Sequence, residues 1–153
     1  MKPLSSYIQE KLVIKKSNHY KYFPETKKEL QDIIKKRIEV EGSEVDLNDI
    51  DVSKITDMSE LFNGTNFKNF NGDISEWDVS NVKNMKSMFF MCYSFNQDIS
   101  NWDVSNVKDM RFMFYKCDSF NQDISNWNIS YEVDMLYMFG YCPIEEKYKP
   151  KLH

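Results

Sequence analysis

The sequence predicts an α/β repeat solenoid with short parallel strands on the concave side, short helices on the convex side and a capping helix at the N-terminus. Three observations favour this fold class. A unit of 25 residues recurs along most of the chain. Within each unit, alternating apolar residues precede apolar residues at helical spacing. A separate amphipathic segment precedes the first unit, as expected of a cap for a stack of repeats.

Four copies of the unit can be aligned. Copies 2, 3 and 4 begin at Phe70, Phe95 and Phe120 with the phrases FNGDISEWDVSNV, FNQDISNWDVSNV and FNQDISNWNIS. Copy 1, from Val45 to Phe67, aligns when two extra residues are allowed after Phe62. We therefore divide the chain into an N-terminal arm at 1–23, a capping helix at 24–44, a four-repeat region at 45–144 and a C-terminal tail at 145–153.

Each copy is predicted to contain a strand followed by a helix. In copy 2, the segment 77–80 alternates between inward and outward positions, which is typical of a short strand. Apolar residues at i, i+3, i+4 and i+7 then predict a two-turn helix: Met85, Met88, Phe89 and Cys92. The residues before the four helices are N-cap types: Asp57, Asn84, Asp109 and Asp134. Because strands stack about 4.8 Å apart and helices about 8–10 Å apart, we expect the stack to bend.

The run from Trp77 to Phe95, W-x-V-x-x-V-x-x-M-x-x-M-F-x-x-C-x-x-F, resembles the repeat of BspA-like leucine-rich-repeat proteins. The resemblance is to a bacterial surface-protein repeat of about 25–26 residues, and it covers about Asp46 to Cys142. It implies a leucine-rich-repeat-like solenoid with protein-binding or surface roles and no catalytic residues. The N-terminal phrases EKLVIKK and ETKKELQDIIKKRIEVEG resemble openings of short proteins of large gut bacteriophages.

The capping helix is predicted from about Thr26 to Val40. Thr26 and Glu29 match a capping box, Gly42 ends the segment, and one face is apolar: Leu30, Ile33, Ile34 and Ile38. We expect this face to cover the first copy. The alternative is an amphipathic helix that binds a partner.

The N-terminal arm carries an apolar side on a short predicted helix from Ser6 to Ile14. Its residues are Tyr7, Ile8, Leu12 and Val13. The arm either packs on the body or docks onto a larger assembly. Its shortness and mixed charge disfavour a helix on a membrane surface. Because tight interfaces usually depend on apolar anchors, we expect the arm to make the anchoring contact with a protein partner.

The repeat region is acidic, with seven Lys/Arg against sixteen Asp/Glu in residues 43–143 and a net charge of −9. This balance disfavours nucleic acid as a partner. The outward strand positions form two rows: Asp49, Glu76, Asn101 and Asn126, and Asp51, Asp78, Asp103 and Asn128. Neighbouring carboxylates in these rows repel each other. Hydrogen bonds from serines or from backbone groups would offset this repulsion, and the alternative is a bound cation or a basic partner. We assign Glu76, Asp78 and Asp103, together with the arm, as partner-binding residues.

The remaining rows of polar and aromatic residues are expected to have structural roles rather than catalytic or metal-binding ones. Cys92, Cys117 and Cys142 share one repeat position, which favours core thiols over a metal or redox site. Trp77, Trp102 and Trp127 are expected to stack inward. Asx-turns are expected in the return loops at Asp73, Asp98, Asp123 and at Asn71, Asn96, Asn121. Because neither histidine lies in the repeats, no catalytic set forms, and we expect no enzyme activity, cofactor or metal.

The resulting functional expectation is a non-enzymatic interaction or structural module, encoded by a phage and docked on a larger assembly such as a virion. The alternative is a secreted bacterial surface adhesin of the BspA-like type. The N-terminal residues show no apolar leader, the chain has no transmembrane run, and three cysteines favour a reducing compartment. We therefore expect a cytoplasmic or virion-associated protein. Pro143 is expected to end the stack before an exposed tail.

Overall fold

The computed structural model describes Pro3, Ser5, Ser6 and residues 19–153. Within 19–153 the regular elements are helix α1 at Lys27–Glu41, the short helix α2 at Gly64–Phe67 and a 3₁₀ helix at Glu146–Tyr148. The rest of this range runs in turns and extended segments that touch through single parallel bridges. None of the described helices has the length and apolarity needed to span a membrane.

The predicted α/β repeat solenoid is wrong, because the copies contain neither the predicted parallel strands nor the predicted helices. In copy 2, alternate N–H groups donate to copy 3: Met85 to Asp109 O, Ser87 to Arg111 O, Phe89 to Met113 O and Met91 to Tyr115 O. The residues between them close four-residue β-turns, such as Met88 N–H to Met85 O. A helix would need every one of these N–H groups for its own i−4 carbonyls. We call the four segments paired in this way, 57–64, 84–91, 109–116 and 134–141, the ladder segments.

The distance between copies explains why no helices form. Phe62, Phe89, Phe114 and Phe139 stack in a column with ring centroids 5.5, 5.5 and 5.8 Å apart. Packed helices need about 8–10 Å between their axes, so copies this close have no room for them. The ladder segments are therefore spaced much as strands are. The predicted bend depended on a difference between strand spacing and helix spacing, and that difference is absent. Consecutive turns still bury Met85, Met88, Phe89 and Cys92 completely.

The predicted strand positions keep their alternation but lack backbone bridges between neighbouring copies. Trp77 and Val79 are buried, whereas Glu76 and Asp78 are exposed. Neighbouring copies are joined here by side chains. The indole N–H groups of Trp77, Trp102 and Trp127 donate to Leu47 O, Ile74 O and Ile99 O at 2.9, 3.1 and 3.1 Å. The inward tryptophan row is thus confirmed, and each tryptophan links its own copy to the preceding one.

Helix α1 confirms the predicted N-terminal cap. Thr26 accepts a hydrogen bond from Glu29 N, the Glu29 side chain accepts from Thr26 N, and Gly42 ends the helix at φ 91°. Leu30 and Ile34 are fully buried in the common core. Lys27 Nζ reaches Ser59 Oγ at 2.6 Å in the ladder segment of copy 1. The helix therefore covers the first edge of the stack.

The two ends of the chain pack on the stack. Near the N-terminus, Tyr22 bridges Ile50 of copy 1. At the other end, Leu152 bridges Ile129 of copy 4, and Ile124 N donates to Tyr148 O at 3.0 Å. The prediction of an exposed tail is wrong, because Tyr148 and Leu152 pack against the core that copy 4 would otherwise leave open.

At Gly72 we predict that the residue found at the same position in copies 3 and 4 would destabilise the protein. Copies 3 and 4 have Gln97 and Gln122 at this position, and their amides donate to Asn71 O and Asn96 O. A Cβ on Gly72 would lie 2.5 Å from Val45 O and 2.6 Å from the ring of Phe70. We therefore expect Gly72→Gln to lower the free energy of unfolding by about 1–3 kcal/mol through overpacking, measured by urea denaturation. The reciprocal control, Gln122→Gly, creates no overpacking; it removes the two bonds from the Gln122 amide to Asn96 and adds the entropy cost of a glycine. A stabilised Gly72→Gln protein would contradict this packing.

Candidate protein-interaction surface

A groove lies on the face formed by the outward positions of copies 2 and 3. It has a volume of about 770 Å³. Residues from copies 2 and 3 and from the segment before α1 line it: His19, Tyr20, Ser75, Glu76, Trp77, Asp78, Val79, Ser80, Asn101 and Asp103. All three repeat residues assigned to partner binding, Glu76, Asp78 and Asp103, are among them. We call the surface formed by these three the acidic face.

The two aspartates of the acidic face are fixed by turns. Asp78 Oδ1 accepts from Ser80 N at 3.1 Å and from Ser80 Oγ at 2.6 Å. Asp103 Oδ1 accepts in the same way from Ser105 at 3.0 and 2.6 Å. The Ser105 hydroxyl and backbone N–H lower the pKa of Asp103, so this carboxylate is charged at neutral pH. The expected serine hydrogen bonds are confirmed, and among the described residues the second oxygen of each carboxylate has no hydrogen-bond partner.

Tyr20 forms one wall of the groove. Lys21 N donates to Asp49 O at 2.8 Å and Asp51 N donates to Tyr22 O at 2.9 Å, which holds this segment against copy 1. Burial raises the pKa of Tyr20, and the charges of Asp51, Asp78 and Glu76 raise it further. The shift therefore reflects burial first and, in addition, the negative potential of these carboxylates. An aromatic ring therefore lies near Asp51, Asp78 and Glu76, and the last two are exposed.

Asp49 departs from its predicted position in the outward row. Its side chain is only 11% exposed and pairs with Arg37 Nη1 of α1 at 2.8 Å and Lys21 Nζ at 3.4 Å. Burial raises the pKa of Asp49, but the hydrogen bonds and charges of Arg37 and Lys21 outweigh it, so the pKa is lowered overall. Because Asp49 is neutralised in this way, the first exposed carboxylate of its row is Glu76.

Three other sets of predicted residues have different outcomes. Tyr7, Ile8, Leu12 and Val13 of the arm lie outside the described residues, so the anchoring role of the arm stays a prediction. Asp73, Asp98 and Asp123 make the expected Asx-turns with Ser75, Ser100 and Ser125. The equivalent asparagines do not: the Oδ1 atoms of Asn71 and Asn96 accept from Asn96 N and Asn121 N of the next copy. They form a ladder between return loops instead.

The three cysteines of copies 2, 3 and 4 lie in a row along the stack. Cys92 and Cys117 are fully buried, whereas Cys142 is half-buried in the last copy. Burial raises the pKa of Cys92 to about 12 and raises that of Cys142 as well. Cys117 Sγ donates to Phe89 O at 2.9 Å. Within the part of the chain that the structure describes, no group of three His, Cys, Asp or Glu residues is arranged to hold a metal ion.

The groove contains groups that can bind a positively charged protein side chain. Exposed carboxylates can pair with lysine or arginine, and the Tyr20 ring can stack on either group. The sequence analysis found Glu76, Asp78 and Asp103 through their repeat positions and placed Asn101 in the same outward row as Glu76. It missed Tyr20 and His19 as groove residues. For Tyr20, the available signal was the cluster of Tyr20, Tyr22 and Phe23 just before the capping box, which we had assigned to the arm.

Comparison with known proteins gives one family match. A family model described as "Mycoplasma protein of unknown function, DUF285" matches residues 28–149. The match is only loosely consistent with the BspA-like resemblance, and it shows no link to phages. No curated protein and no solved structure matches the chain.

Proposed function

The chain belongs to the DUF285 family, whose function is unknown, and from that premise we propose that it is a non-enzymatic protein-interaction module. Its partner is a protein segment rich in lysine or arginine, bound along the acidic face. The groove that joins Glu76, Asp78 and Asp103 to the ring of Tyr20 is the single observation that supports this proposal most strongly.

The residues beneath the acidic face form a fixed support, which favours a binding role over a catalytic role. Trp77, Val79 and Trp102 lie beneath the exposed carboxylates as part of the continuous core. The carboxylates therefore project from a fixed surface, with serine hydrogen bonds holding Asp78 and Asp103 in one orientation. A surface that is already ordered loses less side-chain entropy when a partner binds.

The proposal predicts a matched difference between two charge-reversed variants. We expect Asp78→Lys with Asp103→Lys to weaken binding of a fluorescent arginine-glycine peptide at least tenfold in a low-salt anisotropy titration. The control is Asp98→Lys with Asp123→Lys, which changes the net charge equally and also removes two Asx-turns with serine. The control pair does not line the groove. Equal weakening by both pairs would show that only net charge matters and would contradict the proposal.

The anchoring role of the arm is a separate part of the proposal. It is tested by deleting residues 1–18, which leaves the contacts of Lys21 and Tyr22 with copy 1 in place. Loss of assembly binding in this truncated protein, with the peptide affinity unchanged, would support an arm that anchors independently of the groove. Retained assembly binding would leave the acidic face as the principal contact.

The setting that we favour is a larger protein assembly such as a virion, with a bacterial cell surface of the BspA-like kind as the alternative. Mass spectrometry of purified particles and of peptides shaved from intact cells distinguishes them. Peptides such as those spanning 83–108 in particles support the first setting, and their recovery from shaved cells supports the second.

A further inference from the structure

The last copy ends in a row of open backbone donors. In copy 3, the N–H groups of Met110, Phe112, Phe114 and Lys116 donate to the carbonyls of Asp134, Leu136, Met138 and Gly140. The equivalent donors of copy 4 are Met135, Tyr137, Phe139 and Tyr141. Their N–H groups have no acceptor among the described residues. The ladder thus stops with four N–H groups, at alternate residues, facing outward; we call them the donor row.

The other edges of the stack are covered. Helix α1 lies over the ladder segment of copy 1, where Lys27 contacts Ser59 and Asp57. On copy 4 the tail covers the half that precedes the donor row, because His153 N donates to Ile129 O and Tyr131 N donates to His153 O. The donor row is therefore the uncovered part of an edge that the rest of the chain protects.

The hydrogen-bonding pattern of this edge excludes backbone pairing with a second donor row. The carbonyls of Met135, Tyr137 and Phe139 already accept bonds in turns, from Met138, Gly140 and Cys142. Two identical edges would bring N–H groups against N–H groups. Head-to-tail stacking of two chains is also disfavoured, because α1 packs against copy 1 through the buried Leu30 and Ile34 and through the bond from Lys27 Nζ to Ser59 Oγ. The partner must bring free carbonyls at alternate residues.

We infer that the donor row docks a ladder segment from a different protein, one folded in the turn pattern of an additional copy. Such a segment presents carbonyls in the required register, as 109–115 does for copy 2. This mode resembles strand addition at a sheet edge, where main-chain bonds give affinity and side-chain pockets give specificity.

The side chains at the edge define what the segment must carry. Phe139 is the end of the phenylalanine column, half-buried and stacked on Phe114 at 5.8 Å, so an aromatic residue would continue the column. Tyr137 and Tyr141 are 61% and 77% exposed and would be covered. Lys149 lies over the Phe139 ring at 5.8 Å, and Lys116 lies over Tyr141 at 5.7 Å. A segment that begins with an aspartate, as 109–116 does, would bring an acidic side chain to this edge.

A tethered probe tests this inference in the full chain. The segment 108–119, KDMRFMFYKCDS, is joined after His153 through a flexible Gly-Ser linker, which holds it near the edge at about millimolar effective concentration. Amide hydrogen exchange is followed by NMR. We expect exchange at Met135, Tyr137, Phe139 and Tyr141 to slow at least tenfold relative to a tethered scrambled sequence. Unchanged exchange at this concentration would overturn the inference.

Two matched variants identify the surface. Tyr137→Glu with Tyr141→Glu places charges on the docking edge, so the protection should fall at least fivefold. Tyr131→Glu is the control, since Tyr131 is 74% exposed in the same copy but its N–H is already bonded to the tail. Equal loss in both variants would overturn the inference. So would protection of these amides in the untethered protein that rises with concentration, because that result would identify a second copy as the occupant.

Discussion

Replacing Trp102 by alanine is expected to lower the free energy of unfolding by about 3–5 kcal/mol, the usual cost of deleting a buried aromatic side chain. Trp102 is 3% exposed and lies in copy 3, with Trp127 stacked at 6.4 Å on one side and Phe89 at 6.4 Å on the other. Its indole N–H also bonds Ile74 O of copy 2 at 3.1 Å. The substitution therefore opens a cavity and removes a link between copies.

Two further variants separate these contributions to the stability of the stack. Trp102→Phe keeps much of the ring but removes the indole N–H, and we expect a smaller loss because Ile74 O still accepts from Trp77 N. Tyr131→Ala removes an exposed ring and should leave stability nearly unchanged. In thermal melts the alanine variant should unfold roughly 10 °C below the wild type. A shift of less than about 2 °C would show that the tryptophan row does not support the core.

The features predictable from the sequence are those that depend on local chemistry or on residue identity between copies. The capping box of Thr26 and Glu29 is a short-range pattern and appears as predicted. Exact repetition forces equivalent residues into equivalent surroundings, so the inward positions of Trp77, Trp102 and Trp127 could be predicted from one copy. The same symmetry brought Glu76, Asp78 and Asp103 to one exposed face.

The helices were mispredicted because their apolar spacing is not unique. A chain of tight turns places residues i, i+3, i+4 and i+7 inward just as a helix does. The structure contains left-handed residues that a helix excludes, at φ 55° in Ser87, 57° in Met91 and 55° in Lys116. Such conformations cost about 1–2 kcal/mol for residues other than glycine. No glycine marks them in the sequence, and the pairing between copies and the burial of the apolar side chains compensate for the strain.

The groove was only partly predictable because one wall comes from outside the repeats. The position of Tyr20 depends on backbone bonds between 21–22 and copy 1, which no spacing rule reports. The burial of Asp49 likewise depends on where α1 lies over copy 1. Both are contacts between segments of different type, so the repeat pattern contains no information about them.

Replacing Arg37 by methionine is expected to lower the free energy of unfolding by about 3 kcal/mol, because breaking a mostly buried ion pair is costly. Asp49 would lose its closer partner and keep only the contact with Lys21 Nζ at 3.4 Å. Arg37 joins three parts of the chain. It bonds Asp49 Oδ1 at 2.8 Å and Asp46 O at 2.9 Å in copy 1, pairs with Glu41 in α1, and lies 5.3 Å from the centre of the Tyr22 ring. Its side chain is 13% exposed, so water compensates little for the lost bonds.

A double-mutant cycle measures the ion pair itself. Asp49→Asn alone removes the charge on the carboxylate, and the double variant removes both partners. We expect the double variant to be less destabilised than the sum of the two single variants, since no buried charge then lacks a partner. Additive losses in chemical denaturation would show that Arg37 stabilises the protein through packing rather than through Asp49.

The pH dependence of the Arg37→Met effect gives an independent test. The pKa of Asp49 is lowered in the folded protein, mainly by Arg37 against the opposing effect of burial. A carboxylate with a lowered pKa contributes stability that is complete above its unfolded pKa of about 3.9 and is lost as the pH falls through its folded pKa. The difference in unfolding free energy between wild type and Arg37→Met should therefore be largest near pH 7 and shrink below about pH 4. A difference that stays constant down to about pH 2 would show that the Asp49 charge plays no part. In that case, the junction of α1 with copy 1 would depend on the stacking of Arg37 on Tyr22 and on the bond to Asp46 O.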